Sequence, residues 1–418
     1  MVEGYYGPPL EHSARLDLVS WIGTRGYNAY AYAPKHDPYH RDRWRDPYPA
    51  ATMREFEALR ARAGASGVDL VMVISPGLDW RAGDEPALVA KLAGFREIGI
   101  TSLGIAFDDV PPGGADLGAA HAAAVTAAVE GVGPGIRWTS CPVDYATDRV
   151  TGYLGAFVGG LPAAVDVMWT GPSIVSPEVS ADMARALGEA LGRPLLFAEN
   201  FPVNDGTMTG VLHLGPYPAR DPGLVEATCG VFVNMMARPL ASRVGLSGAA
   251  QFWSAPHEPR EAAWTTSTSA LPGIAPLARG SRSWVGEPGP DPGLVRAVDE
   301  GRLEDVLGFL RAGCRAGLAP ALADEVEPWL EQWEYEAAAM EAAITMLQAP
   351  ATTRAEIAQL VALLWARARA GVPQLFGIRW SYYPVTGREG DDLVPAPGAL
   401  VEGENLTDRL CRMALAGR

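Results

Sequence analysis

The chain is almost without lysine: of its 418 residues only Lys35 and Lys91 are lysines, and the formal net charge is -15 with a pI near 4.9. Such an acidic surface repels phosphate backbones and anionic lipid, which argues against a nucleic-acid or membrane partner. Cysteine is scarce as well. Cys141, Cys229, Cys314 and Cys411 lie far apart with no CxxC spacing, so no disulfide framework or zinc site is expected, and a reducing, cytoplasmic compartment is. The six histidines form no HExxH or similar set, which points to chemistry without a metal or other cofactor. No window has the apolar length of a membrane span. A strand-like segment begins within a few residues of Met1, so no signal peptide is visible. Internal repeats and low-complexity tracts are absent too.

What is present is a strand–helix rhythm. Strand-like runs cover residues 2–6, 28–32, 69–75, 103–108, 136–141, 166–170, 194–199 and 230–234, and helical periodicity separates most of them. Eight strands over this length fit a (β/α)8 barrel. A doubly wound sheet shares the rhythm, but no GxGxxG follows the first strand. We therefore expect a barrel over residues 1–284. The Pro- and Gly-rich residues 285–293 read as a linker. Residues 294–418 read as a helical bundle with an irregular segment over 371–400. Pro328 is expected to break or restart the longest helix near its beginning.

The continuously apolar run Leu103-Gly104-Ile105-Ala106-Phe107 ends in two aspartates, Asp108 and Asp109. Carboxylates are costly to bury, so the pair marks where a buried strand leaves the core. In a parallel α/β fold, that end is where active sites form. A cap of the next turn is the plainer explanation. Other strand ends carry polar or aromatic residues as well: Tyr6, Lys35, Tyr145, Trp169, Asn200 and Asn234. Aromatics beside Asp, Asn and Lys suit a sugar, which stacks and needs both donors and acceptors.

These residues resemble glycoside hydrolase family 84, the β-N-acetylglucosaminidases that include protein O-GlcNAcases. The matching strings, in order, include Val2-Glu3-Gly4-Tyr5-Tyr6-Gly7, Tyr32-Ala33-Pro34-Lys35, Phe107-Asp108-Asp109-Val110, Cys141-Pro142-Val143-Asp144-Tyr145, Trp169-Thr170-Gly171-Pro172 and Asn200-Phe201-Pro202-Val203-Asn204-Asp205. The resemblance implies substrate-assisted catalysis, in which the substrate's own acetamido oxygen attacks the anomeric carbon and forms an oxazoline, with net retention. It implies that Asp108 holds the acetamido N–H and that Asp109 protonates the leaving oxygen and then activates water. Successive side chains on an extended segment point apart, so neighbours can reach two sides of one sugar. Their mutual repulsion is expected to raise one apparent pKa. By the same resemblance Lys35, Asp205 and Asn234 bond the sugar hydroxyls, Gly4 offers a backbone carbonyl, and Tyr145 meets the acetamido oxygen. Asn200 lines the site, with Cys141 and Trp169 in or near it. Plainer readings stand beside these: Cys141 as core, Tyr5 or Tyr6 as packing of the first strand, Asp205 before Gly206 as a turn residue.

The sequence departs from the family at Ala198, where a tryptophan usually walls the acetamido pocket, and at His36, where an acidic residue is frequent. The resemblance fades after about Leu271. The expected partner is an N-acetylhexosamine-containing glycoconjugate or oligosaccharide. Three functions stay open: an O-GlcNAcase-type enzyme, a hexosaminidase of the same mechanism acting on another N-acyl-hexosaminide, and a sugar-binding protein without catalysis. The amphipathic helices after Leu294 also suggest a possible homodimer.

Overall fold

The computed structural model of the chain describes residues 1–389 and 392–416. Eight parallel strands follow one another in sequence order: β1 (Val2–Glu3), β2 (Ala29–Tyr32), β3 (Asp69–Ile74), β4 (Ser102–Ala106), β5 (Arg137–Cys141), β6 (Val165–Trp169), β7 (Leu195–Glu199) and β8 (Thr228–Val233). A parallel bridge between Val2 and Asn234 joins the last strand to the first, which makes the sheet a (β/α)8 barrel. Alternation sorts the side chains. Tyr30, Met72, Ile74, Leu103, Ile105 and Phe107 pack in the main core with the barrel helices. Ala31, Ala33, Val71, Val73, Ala106, Cys141, Leu196 and Phe232 form a smaller cluster of their own inside the barrel.

The barrel interior is built from small residues and closes tightly. At Gly104 on β4 a Cβ would lie 2.9 Å from Thr139 Oγ1 and 3.0 Å from Val73 Cγ2, so only glycine fits between its neighbours.

Beyond residue 291 come helices Pro292–Asp299, Leu303–Ala312, Pro320–Gln348, Ala351–Ala370 and Leu406–Ala416. They share a second core with Leu212, Leu214, Met236, Val244 and Ile274, so the bundle is packed onto the barrel. Two expectations need correction here. The 29-residue helix runs without a break through Pro328, because Val326, Trp329 and Leu330 are all fully packed around it and tertiary burial outweighs the lost hydrogen bond. The segment over 371–400 is irregular only as far as Trp380. It carries an antiparallel hairpin, β9 (Ser381–Glu389) and β10 (Asp392–Val401), with Ser381 opposite Val401 and Tyr383 opposite Ala399. A register shift between Ala396 and Ala399 disguises its alternation, and within it a Cβ on Gly398 would meet Tyr383 O at 2.5 Å.

The hairpin is anchored at its base by Arg379. Its guanidinium binds the buried Glu336 at 2.5 Å and Asp408 at 3.1 Å, tying the strand entrance to two helices. From there the hairpin reaches the barrel rim, where Pro384 O accepts the Val175 N–H at 3.5 Å and Tyr382 O accepts the Thr207 hydroxyl. Among the described residues, no helix is long and apolar enough to cross a membrane.

Candidate active site

Strand β4 ends at Ala106, and the chain turns rather than continuing extended. Asp109 has φ 56°, in the left-handed region where a non-glycine residue is strained and Asp is among the better tolerated. The two aspartates therefore diverge because of this turn, not because of strand alternation. Both face a cavity of 350 Å³ at the C-terminal mouth of the barrel, lined also by Gly4, Tyr6, Lys35, Cys141, Tyr145, Asn200, Asp205 and Asn234.

The two carboxylates are held differently. Asp108 Oδ2 is paired with Lys35 Nζ, and Asp108 Oδ1 is buried with no protein partner, an acceptor left for something else. Burial pushes the Asp108 carboxyl up, but Lys35, with Arg41 and His40 further round, more than offsets it and holds the group below the usual carboxylate range. The rise expected from mutual repulsion is thus not what Asp108 experiences. Asp109 stands at the exposed rim. Tyr145 donates to its Oδ1 at 2.8 Å and Tyr6 to its Oδ2 at 2.8 Å. Burial first, and then the Asp109 charge, push both phenols upward, so they remain donors.

A second chain of bonds fixes the opposite wall. Gly4 N donates to Asn234 Oδ1 at 3.2 Å, Asn234 Nδ2 to Asn200 Oδ1 at 3.1 Å, and Asn200 Nδ2 to Ile174 O at 2.7 Å. This links β1, β8, β7 and the loop after β6. Asp205 accepts the Tyr6 N–H at 2.6 Å; burial, then the Asp109 charge, push its carboxyl upward. Cys141 lines the cavity from the end of β5, and burial pushes its thiol far up, which disfavours the nucleophilic thiolate.

One expected residue is elsewhere. Trp169 does not line the cavity: its side chain is 2% exposed, its indole N–H donates to Thr147 O at 2.7 Å, and its ring lies against Phe197. It sits on the outward face of β6, and its neighbours Met168 and Thr170 face the cavity instead. Glu199 carries a fourth carboxylate at the cavity, but its oxygens pair with Arg220 at 2.7 and 2.9 Å. It is structural. Tyr6, read as possible packing, is 40% exposed and belongs to the site. Arg41 and Pro384 were also missed; Arg41 follows the matching string that ends at Lys35 by six residues, whereas nothing local in the sequence marks Pro384. Among the described residues, no three His, Cys, Asp or Glu side chains cluster to hold a metal.

Comparison with known proteins agrees with this architecture. The chain is 28% identical over 251 residues to the protein O-GlcNAcases of Rattus norvegicus and of Mus musculus, a match over 56% of this chain and 27% of each relative. It thus spans about a quarter of the length of these curated relatives. Its fold superimposes on an O-GlcNAc hydrolase mutant of Thermobaculum terrenum with a TM-score of 0.83 at 25% identity, covering 100% of this chain and 94% of that one. CpGH84B gives a TM-score of 0.78 at 26% identity, over 90% of this chain and 74% of that one. A family model described as beta-N-acetylglucosaminidase matches residues 1–279. The chain belongs to the β-N-acetylglucosaminidase family, glycoside hydrolase family 84.

Proposed function

We propose that the chain is a retaining exo-β-N-acetylglucosaminidase of the O-GlcNAcase type that works by substrate-assisted catalysis. The observation that carries this reading is the unequal treatment of the two aspartates over one cavity. Asp108 is kept ionised by Lys35 with one oxygen unoccupied, which suits an acceptor for an acetamido N–H. Asp109 stands at the rim beside two phenols, where a leaving oxygen would depart. In the first step the acetamido oxygen bonds to the anomeric carbon as the C–O bond to the aglycone breaks, and Asp109 gives its proton to the departing oxygen. The intermediate keeps its N–H, bonded to the Asp108 carboxylate, as an oxazolinium ion. Water then attacks its anomeric carbon, the bond to the acetamido oxygen breaks, Asp109 takes a proton from the water, and the β-anomer is released. On this reading Lys35, Asp205 and Asn234 bond the sugar hydroxyls, which is supported by their lining one cavity with Gly4, Tyr145, Asn200 and Cys141.

The test is release from β-N-acetylglucosaminides of differing leaving groups. Asp109→Ala should slow a methyl glycoside by roughly 10²- to 10⁴-fold, and an activated aryl glycoside far less. Asp108→Asn should slow both alike. Equal losses on both substrates for Asp109→Ala would remove the assignment.

The substrate follows as an N-acetylglucosamine-bearing glycoconjugate. Four free thiols, three of them buried, favour the cytoplasm. Leu360 and Leu363, 50% and 69% exposed on helix Ala351–Ala370, favour a homodimer, which mass measurement at micromolar concentration would refute by finding monomer alone.

A further inference from the structure

Beside the sugar cavity lies a second cleft of 360 Å³ that shares Asp109, Tyr145 and Ile174 with it. Asp109 therefore stands at the junction of the two spaces. An acid that protonates a glycosidic oxygen has the sugar on one side of that oxygen and the aglycone on the other. If the first cavity takes the sugar, the group that leaves lies in the second.

The walls of this cleft have a consistent chemistry. Among the described residues, Val110, Pro111, Pro112, Val143, Ile174 and Thr386 form most of them, beside Asp109, Asp144, Tyr145 and Ala146. None of the described residues lining it is Lys, Arg or Trp, and the two consecutive prolines have no N–H to offer. The Tyr145 hydroxyl is engaged by Asp109, and the Asp144 carboxylate accepts the Thr151 hydroxyl. A pyranose entering here would exchange water for aliphatic carbon at most of its hydroxyls and find no indole to stack on. An apolar group would instead gain by burial.

One wall comes from outside the barrel. Thr386 is on β9, and on the same strand Pro384 lines the sugar cavity. Catalytic carboxylates lie within the family match at residues 1–279, whereas this wall lies more than a hundred residues beyond it. The hairpin is thus a place where aglycone choice can change without touching the reacting groups.

We propose that this cleft is an aglycone subsite for apolar groups, closed by the β9–β10 hairpin of the same chain, and that it disfavours a sugar as the aglycone. This rests on the glycosidase reading above. The apolar group is either the side chains flanking a glycosylated serine in a peptide or a small alkyl aglycone, since both present the same surface.

The experiment compares methyl, propyl and pentyl β-N-acetylglucosaminides, whose leaving alcohols have similar acidity, with chitobiose. Two serine glycopeptides of equal charge, flanked by Val-Pro or by Gly-Asn, identify the source. For the intact chain, kcat/KM should rise with alkyl length by up to roughly fourfold per methylene that the cleft covers, and chitobiose should rank below the pentyl glycoside. A Val-Pro peptide that outruns its Gly-Asn counterpart assigns the subsite to peptides; a rise confined to the alkyl series assigns it to small glycosides. Thr386→Arg and, separately, Pro112→Asp should flatten the alkyl series relative to each variant's own methyl glycoside. A flat series in the intact chain, or chitobiose as the better substrate, overturns the subsite while the glycosidase reading stands. Failure to hydrolyse any of these, with an aryl glycoside also inert, would overturn both.

Discussion

Arg41 Nη2 donates to the backbone carbonyl oxygen of Asp109 at 3.0 Å, and that carbonyl belongs to the one aspartate in the site with a left-handed backbone. Arg41 is 6% exposed, and its guanidinium lies 5.9 Å from the centre of the Tyr6 ring, whose hydroxyl reaches the same Asp109. One cation thus fixes both the turn that aims Asp109 and a phenol that holds its carboxylate. Arg41→Gln should cost poor leaving groups on the order of 10²-fold in kcat/KM, the scale of a misplaced catalytic group, and activated aryl glycosides much less. Equal losses on both, in a variant that unfolds at the same denaturant midpoint, would limit Arg41 to a general structural part.

Lys35 sets the ionisation of Asp108. Because the folded Asp108 is held below the usual carboxylate range, the pair contributes stability in full above the unfolded value of about 3.9. That contribution is lost as the pH falls through the lower, folded value. Lys35→Ala removes the cation and leaves burial, so the Asp108 carboxyl should rise. The acid limb of the kcat profile should then move to higher pH. An unmoved acid limb, with only KM raised, would confine Lys35 to binding the sugar.

Glu199 sits between Ala198 and Asn200 in sequence, and its side chain and that of its partner Arg220 are 3% and 1% exposed. Tyr217 adds a hydrogen bond to Glu199 at 3.0 Å. Glu199→Ala leaves a buried guanidinium without its counter-charge and should destabilise the fold by about 3–5 kcal/mol. Denaturant unfolding measures it, and a loss below about 1 kcal/mol would show that Arg220 finds another partner.

Much of the barrel was legible because its signals are local. Most strands are apolar runs bounded by turn residues, and the observed limits fall within a few residues of those read from the sequence. The aspartate pair was legible for the same reason: charge at the end of an apolar strand is a one-dimensional signal. What escaped depends on the third dimension. Met168 and Trp169 are neighbours on β6, and only the register of the strand says which of them faces the cavity. Tyr6 was ambiguous because β1 is two residues long and gives no alternation to follow. The hairpin was hidden by its register shift and by prolines that interrupt the pattern, and its role at the site arises from docking across more than two hundred residues of chain.

Ala198 is the residue whose consequence for substrate choice is most open to measurement. It faces the cavity from β7, and neither neighbouring aromatic fills the space a tryptophan would take. Phe197 is fully buried on the outward face against Trp169 and Trp253, and Phe201 is stacked on His213. Phe232, the β8 partner of Ala198, and Met168 from β6 border the gap within the lining. Room at this position should let the pocket keep activity toward N-acyl groups longer than acetyl, each covered methylene contributing roughly 0.8 kcal/mol, or about fourfold in kcat/KM, against any misalignment of the attacking oxygen. N-acetyl, N-propionyl and N-butyryl glucosaminides with one aryl leaving group measure this, and Ala198→Trp should restore a sharp preference for acetyl. A steep fall at the first added methylene in the unaltered chain would mean that Phe232 and Met168 already close the pocket, and that the missing indole has no effect on specificity.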